Sequence, residues 1–236
     1  MRKYFPALAA LMFAAASAVA IPVSFDLSRV ANKDVVYEAG GHGSAEPFGG
    51  NPNGLHCFGE DGFVDGFPQN RYVPSSQEDL GNYVLLRYDQ PNVVELCTHS
   101  SVEPQTYVID IPDHVYSKLG LLVSSVDGDS SFTIRLQYKD GTTDFLWWEA
   151  DDWYDLGPRG NLEKALRELD RVDAESGMAE DSDHFHVYEF VLDEERGLKT
   201  DKELVTIAIG TDPNRWPEDQ LRFGGVFAIN GAAVEP

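Results

Sequence analysis

The sequence predicts an all-β chain folded as a sandwich or barrel. Short β-rich runs recur along it, separated by turn residues, the pattern of such architectures. In one run, Phe132–Tyr138, the residues Phe132, Ile134, Leu136 and Tyr138 share one face and Thr133, Arg135 and Gln137 share the other. That is the alternation of a strand with one core face and one wet face. Between this run and the next lies Asp140-Gly141, a strong hairpin signal.

The first 20 residues stand apart. Arg2 and Lys3 precede an Ala/Leu/Met/Phe run over 7–16, and Ala18-Val19-Ala20 follows as an A-x-A site. This is the pattern of a secretory signal peptide, with an apolar run too short to span a bilayer. Cleavage after Ala20 leaves Ile21 first, and Ala16-Ser17-Ala18 offers a second site. The sequence therefore predicts an exported protein, extracellular or periplasmic, with residues 21–236 as a single domain.

IPVSFDL opens that domain as the first strand. Residues 39–70 hold nine glycines and no convincing strand, and a loop of that length in a compact domain is usually functional or disordered. YVLLRY (83–88) and VVELC (93–97) follow as strands. Cys57 and Cys97 are the only cysteines. In an oxidising compartment they are a candidate disulfide, and closing a loop of about 41 residues would add about 4 kcal/mol by chain entropy; two buried thiols are the other reading.

Next come TYVIDI (106–111), LGLLVSSV (119–126), the Phe132–Tyr138 strand and TDFLWW (143–148). In that last strand Phe145, Trp147 and Glu149 point one way, Leu146 and Trp148 the other; Trp147 is expected in the core. Past the strand end, Asp151, Asp152, Trp153 and Tyr154 combine a flat aromatic face with carboxylates. Over 161–175, Leu162, Ala165, Leu166, Leu169 and Val172 recur at spacings of three and four, which predicts a helix, capped by Asn161. Trp153 then has two readings: packing on Leu166 or Leu169 beneath that helix, or contact with a ligand. FHVYEFVL (185–192), LVTIAI (204–209) and FGGVFAI (223–229) close the chain as strands.

Charge narrows the function. There are 40 acidic against 18 basic residues, a net charge of −22. Losing Arg2 and Lys3 leaves 16 basic residues against the same 40 acids, hence −24. Such a field repels nucleic acid and anionic polymers, and no basic run offsets it. Neutral sugars or cations are easier ligands.

Several stretches resemble the galactose-binding-like jelly-roll domains attached to many secreted glycoside hydrolases: FDLSRVANKD, VDGFPQNRYVPSS (64–76), QTYVIDI through DDWYD (105–155), HFHVYEFVLD, ELVTIAIG and VFAING. The matching positions include Asp65-Gly66, Tyr72, Pro74, Tyr116–Leu119, Tyr138–Thr142 and Asp152-Trp153. The resemblance implies a jelly-roll β-sandwich, here with one inserted helix at about 161–175, and a carbohydrate ligand. The fold hosts many roles, and no catalytic module is expected within residues 21–236.

The expected carbohydrate-binding residues are Trp153, Tyr154, Asp151 and Asp152, with Arg135 and Gln137 on the wet strand face. Glu60, Asp61 and Asp65, among glycines, suit a structural calcium, or form two tandem turns. His184 and His186 are an H-x-H pair without an evident third ligand, which favours a structural role. Glu149-Ala-Asp151 begins a two-carboxylate glycosidase pattern but Tyr154 stands at its last position. A lyase would need a Tyr or His base beside Arg135 and Gln137, and no spacing demands one. The sequence thus predicts non-catalytic binding of a neutral poly- or oligosaccharide, with a separate secreted enzyme as a candidate partner. A polysaccharide lyase or glycoside hydrolase on the same scaffold is the alternative, and a structural or adhesion protein without a small ligand the second.

Overall fold

The computed structural model describes residues 19–39, 45–49, 56–99, 102–154, 162–211 and 221–234. Thirteen strands form among them: β1 Ala20–Ser24, β2 Val36–Tyr37, β3 His56–Gly59, β4 Tyr72–Pro74, β5 Asn82–Val84, β6 Val94–Cys97, β7 Thr106–Val126, β8 Ser130–Tyr138, β9 Thr143–Ala150, β10 Leu162–Asp173, β11 Ala179–Leu192, β12 Glu203–Gly210 and β13 Phe223–Val234. The chain is an all-β sandwich. No helix of the described residues is long and apolar enough to cross a membrane.

Two sheets share one strand. The first half of β7 pairs with β12, which pairs with β8, which pairs with β9 at the edge. The second half of β7 pairs with β11 on one side and β13 on the other. From β11 this sheet, the first, continues through β10 and β3 to β2, and β7, β12, β8 and β9 make the second. Both β6 and β1 line the far edge of β13. Two of the expected runs, TYVIDI and LGLLVSSV, are thus one strand of 21 residues.

Apolar side chains fill both sides of the first sheet. Between the sheets lie Phe132, Ile134, Leu136, Trp148, Ile207 and Ile209, packed against Val123, Tyr188, Val226 and Ile229. On the first sheet's other face, Leu122, Phe185, Val187 and Phe227 meet Phe48, Phe67, Tyr83, Tyr88 and Trp153 from loops and the small β4–β5 hairpin. That is why LGLLVSSV and FGGVFAI read as continuous apolar runs rather than alternating ones.

Polar pins fasten the hairpin. Fully buried Glu189 accepts hydrogen bonds from Tyr83 Oη at 2.6 Å, Ser75 Oγ at 2.5 Å and Ser76 N at 2.8 Å. Asn230 Nδ2 donates to the carbonyls of Leu80 and Asn82. Tyr83 comes so close to β7 that a Cβ on Gly120 would lie 2.0 Å from its hydroxyl, so only glycine fits there.

The predicted helix is absent. Residues Leu162–Asp173 are β10, held between β3 and β11. Register shifts fall between Lys164 and Leu166, Leu166 and Leu169, and Leu169 and Arg171, and Glu168 takes φ 54. The first two shifts each add one residue to β10 and reset its alternation, and the third falls on β11, so apolar positions three or four apart can still reach the core of a strand. Pairing on both edges overrides the local helical preference. The glycine-rich region also yields a strand, β3, inside 39–70.

The expected disulfide is not formed. Cys57 and Cys97 are free and buried. Cys57 sits on β3 and Cys97 on β6, with β10, β11, β7 and β13 between them along the sheet, about five interstrand spacings of ~4.8 Å. Burial pushes the thiols up, to about 12 for Cys57 and about 11 for Cys97, the mark of inert cysteines. Denatured, unreduced protein should give two titratable thiols per chain; finding none would restore the bridge.

Asp34 supplies a pH signature. Burial holds its carboxyl up at about 6, against the opposing hydrogen bond from Asn92 Nδ2 at 2.6 Å. Between the unfolded value, about 3.9, and about 6, the folded chain therefore binds more protons than the unfolded chain. Stability falls as pH rises through that window. Asp34→Asn should lose less melting temperature between pH 4 and pH 6 than the parent does. An identical loss in both would place that slope on other groups.

Candidate functional site

The outward face of the second sheet is the candidate site. Its register aligns side chains in rows across four strands. Val108, Ala208, Arg135 and Phe145 form one row; Thr106, Gly210, Thr133 and Trp147 the next; Asp110, Thr206, Gln137 and Thr143 the third. Phe145 is 68% exposed, Val108 48% and Trp147 40%. Large apolar groups grouped on one face are the kind of exposure that marks an interaction surface. Ala208 and Gly210 keep β12 low in the middle, so the aromatic strand β9 rises on one side and Val108 on the other.

Among the described residues, the Arg135 and Gln137 side chains make no hydrogen bond or ion pair. A guanidinium fork and an amide thus stand ready beside two aromatic rings. This chemistry suits a sugar: rings cover the C–H side of a pyranose, and amide and guanidinium groups bond its hydroxyls.

Trp147 was expected in the core, and the structure reverses this. The parity within β9 is as expected, but the inward member is Trp148, which is fully buried and stacked on Phe132 at 4.4 Å. The reason is register. Asp140 and Gly141 turn the chain so that Gln137 opposes Thr143 and Phe132 opposes Trp148. Since Phe132 faces inward, so must Trp148. The pairing across the Asp140-Gly141 turn was the signal that could have found Trp147 and Phe145.

The other expected residues lie elsewhere. Trp153 is core, 7% exposed, its ring 4.5 Å from Phe185, 5.2 Å from Phe58 and 5.7 Å from Phe48. Those aromatics, not a helix, surround it. Its backbone is pinned at both ends, with N donating to Ser125 O and O accepting from His186 N. Asp151 is buried, and its carbonyl accepts from Ser125 N. Asp152 accepts from Gly128 N at 2.6 Å and Tyr154 N at 2.9 Å. Burial raises its pKa, and the like charges of Asp129 and Asp127 add to the rise. Residues 151–153 are thus a strap laid across the end of the sandwich. Tyr154 is exposed but stands against His184 and Phe185, away from Arg135 and Gln137.

Neither catalytic pattern is assembled. His186 is buried on β11, within 2.8 Å of Lys164 Nζ, while Arg135 and Gln137 face outward from the other sheet. Glu149 is exposed and Asp151 buried. Asp61 and Asp65 line a hollow of about 480 Å³ with Arg167 and Glu168. Glu60 instead accepts Ala39 N at 2.7 Å. No cluster of three metal-ligating side chains occurs among the described residues.

No protein-family model and no curated protein matches the sequence. Among solved structures, PfGH50B aligns at TM-score 0.33 and 11% identity over 73% of this chain and 23% of that chain. An exo-beta-agarase aligns at 0.35 and 11%, over 73% and 24%. The apo Crh5 transglycosylase aligns at 0.32 and 12%, over 82% and 90%. This chain spans about a quarter of the length of the first two. At such TM-scores the likeness carries no argument for this chain.

Trp153→Ala should leave a cavity within the aromatic cluster. The expected cost is roughly 3–5 kcal/mol, a fall in melting temperature of about 6–20 °C. An unchanged melting temperature would return Trp153 to the surface.

Proposed function

We propose that this chain is an exported, non-catalytic carbohydrate-binding protein of galactose-binding-like type. It holds a neutral poly- or oligosaccharide on the outward face of the second sheet, through Trp147, Phe145, Arg135 and Gln137. The observation that carries the reading is the exposure of Trp147 and Phe145 beside an Arg135 with no partner among the described residues. A net charge of −22 disfavours polyanionic ligands. The signal-peptide pattern of residues 1–20 supports export, where a separate secreted enzyme acting on the same polymer is a natural partner.

Binding without cleavage fits the carboxylates. Asp113 and Glu203 are both engaged by Lys139, and Asp110 and Glu149 are too far apart to act as a pair. The latter two sit on strands three spacings apart, roughly 14 Å, and are offset further along the strands by the register. Glycoside hydrolysis needs a pair about 5–9.5 Å apart.

Electrophoresis in gels containing neutral polysaccharides tests the proposal. The protein should be retarded by its ligand and release no reducing ends or unsaturated products. Trp147→Ala and Arg135→Ala should each weaken binding about tenfold or more, a loss of roughly 1.4 kcal/mol. Melting temperatures should barely move, since surface changes usually stay within about 0.5 kcal/mol. Undiminished binding in both variants would remove this face as the site, and product forming in proportion to purified protein would make the chain an enzyme.

A further inference from the structure

A second surface, on the far side of the first sheet, carries polar groups that the fold does not use. Loops from 38, 60–71 and 87–89 enclose a hollow of about 410 Å³, within the usual size of a small-ligand site. At its wall stands Arg71. It ends a turn in which its N–H donates to Pro68 O at 2.8 Å, and its own φ is 61. That left-handed backbone suits glycine or asparagine and strains arginine. The side chain repays the fold with nothing visible: among the described residues its guanidinium has no hydrogen bond and no ion pair. Strain kept for a side chain without an internal partner points to a role outside the fold.

The groups around Arg71 define what it can meet. Arg87 is held by Asp89 through a bidentate contact, with Nε to Oδ1 at 2.8 Å, so that pair is neutral and already satisfied. Glu38 accepts no hydrogen bond among the described residues. Glu60 receives Ala39 N on Oε2 only, which leaves Oε1 open. Gln69 gives Nε2 to Asp61 O at 2.6 Å and keeps its carbonyl oxygen. The hollow therefore offers guanidinium donors opposite carboxylate and amide acceptors. An anion would face two carboxylates, and a metal cation would face Arg71. Adjacent hydroxyls, each both donor and acceptor, satisfy both sides at once.

We propose that this hollow is a second carbohydrate site, taking one neutral sugar residue through vicinal hydroxyls bound by Arg71, Glu38 and Glu60. It stands on these residues alone and not on the sheet-face reading. The test uses protein carrying Trp147→Ala and Arg135→Ala together, so that sheet-face binding is weakened, titrated by heteronuclear NMR with methyl glycosides of galactose, glucose and mannose. Glucuronic acid and glucosamine serve as charged comparisons. At least one neutral glycoside should give saturable shifts at the Arg71 side chain and bind more tightly than either charged sugar. Adding Arg71→Gly should weaken that binding at least tenfold and leave the melting temperature equal or higher, because glycine relieves the left-handed backbone. The proposal is overturned if no neutral glycoside saturates, if a charged sugar binds better, if Arg71→Gly binds as before, or if Arg71→Gly melts several degrees lower. Loss of polysaccharide retardation in Trp147→Ala alone bears on the sheet face and leaves this site standing.

Discussion

The 21-residue strand β7 belongs to two sheets, and the other layers take their places from it. Its first half gives its edge to β12 and so carries β8 and β9. Its second half is flanked by β11 and β13, and through them carries β10, β3, β6 and β1. A strand ordinarily runs to about ten residues. One twice that length must leave one sheet to join another, and the crossing brings an apolar face of each to the same interior. Every residue from Leu119 to Val126 except the last is essentially sealed from solvent, because it has sheet beside it and packed side chains above and below.

That sealing sets a problem for the polar groups nearby. Among the described residues, the loop layer over the first sheet's outer face contributes the short β4–β5 hairpin, with a 3-10 turn at Glu78–Leu80. Its attachment rests on aromatic contacts and on buried polar bonds to Glu189 and Asn230. A buried carboxylate is costly unless its oxygens are satisfied, and three donors from the hairpin region satisfy Glu189. Lys33 and Glu95 do the same for the segment at Gly49: they pair at 2.9 Å, and Glu95 also accepts Gly49 N at 2.8 Å. The loops that bear the Arg71 hollow have pins of their own, Tyr88 Oη donating to Pro68 O and Leu85 N to Arg71 O, and these let a strained arginine persist there.

The outward sheet face works by a different rule. Nothing among the described residues covers it, and its composition follows from alternation alone: each inward Phe132, Ile134 or Trp148 obliges a neighbour to point out. Most such neighbours are threonine, glutamine or charged. Val108, Phe145 and Trp147 are exceptions, and the two aromatics sit on the edge strand, where exposed apolar groups carry an aggregation risk unless they serve contact with a ligand.

How much of this was legible in the sequence depends on whether a feature is local. The strands β8, β11, β12 and β13 were readable because each carries its pattern within itself. The orientation of β9 was readable too, through the Asp140-Gly141 turn that opposes Phe132 to Trp148, although composition argued for burying Trp147. Three features were decided only by tertiary structure. Residues 162–173 have the spacing of a helix, and only the two neighbouring strands, with the bulges they tolerate, make them β10. Trp153 lies among acids in sequence, yet Phe48, Phe58 and Phe185 converge on it from three distant segments. Cys57 and Cys97 form a plausible pair by count, and only the strand order separates them. The sequence by itself determined the fold class, the acidic surface and the wet face bearing Arg135 and Gln137, since these depend on composition and on neighbours a few residues away. That Trp153 is core, and which loop residues meet around a hollow, were settled by contacts between segments far apart in the chain, whose geometry no local pattern encodes.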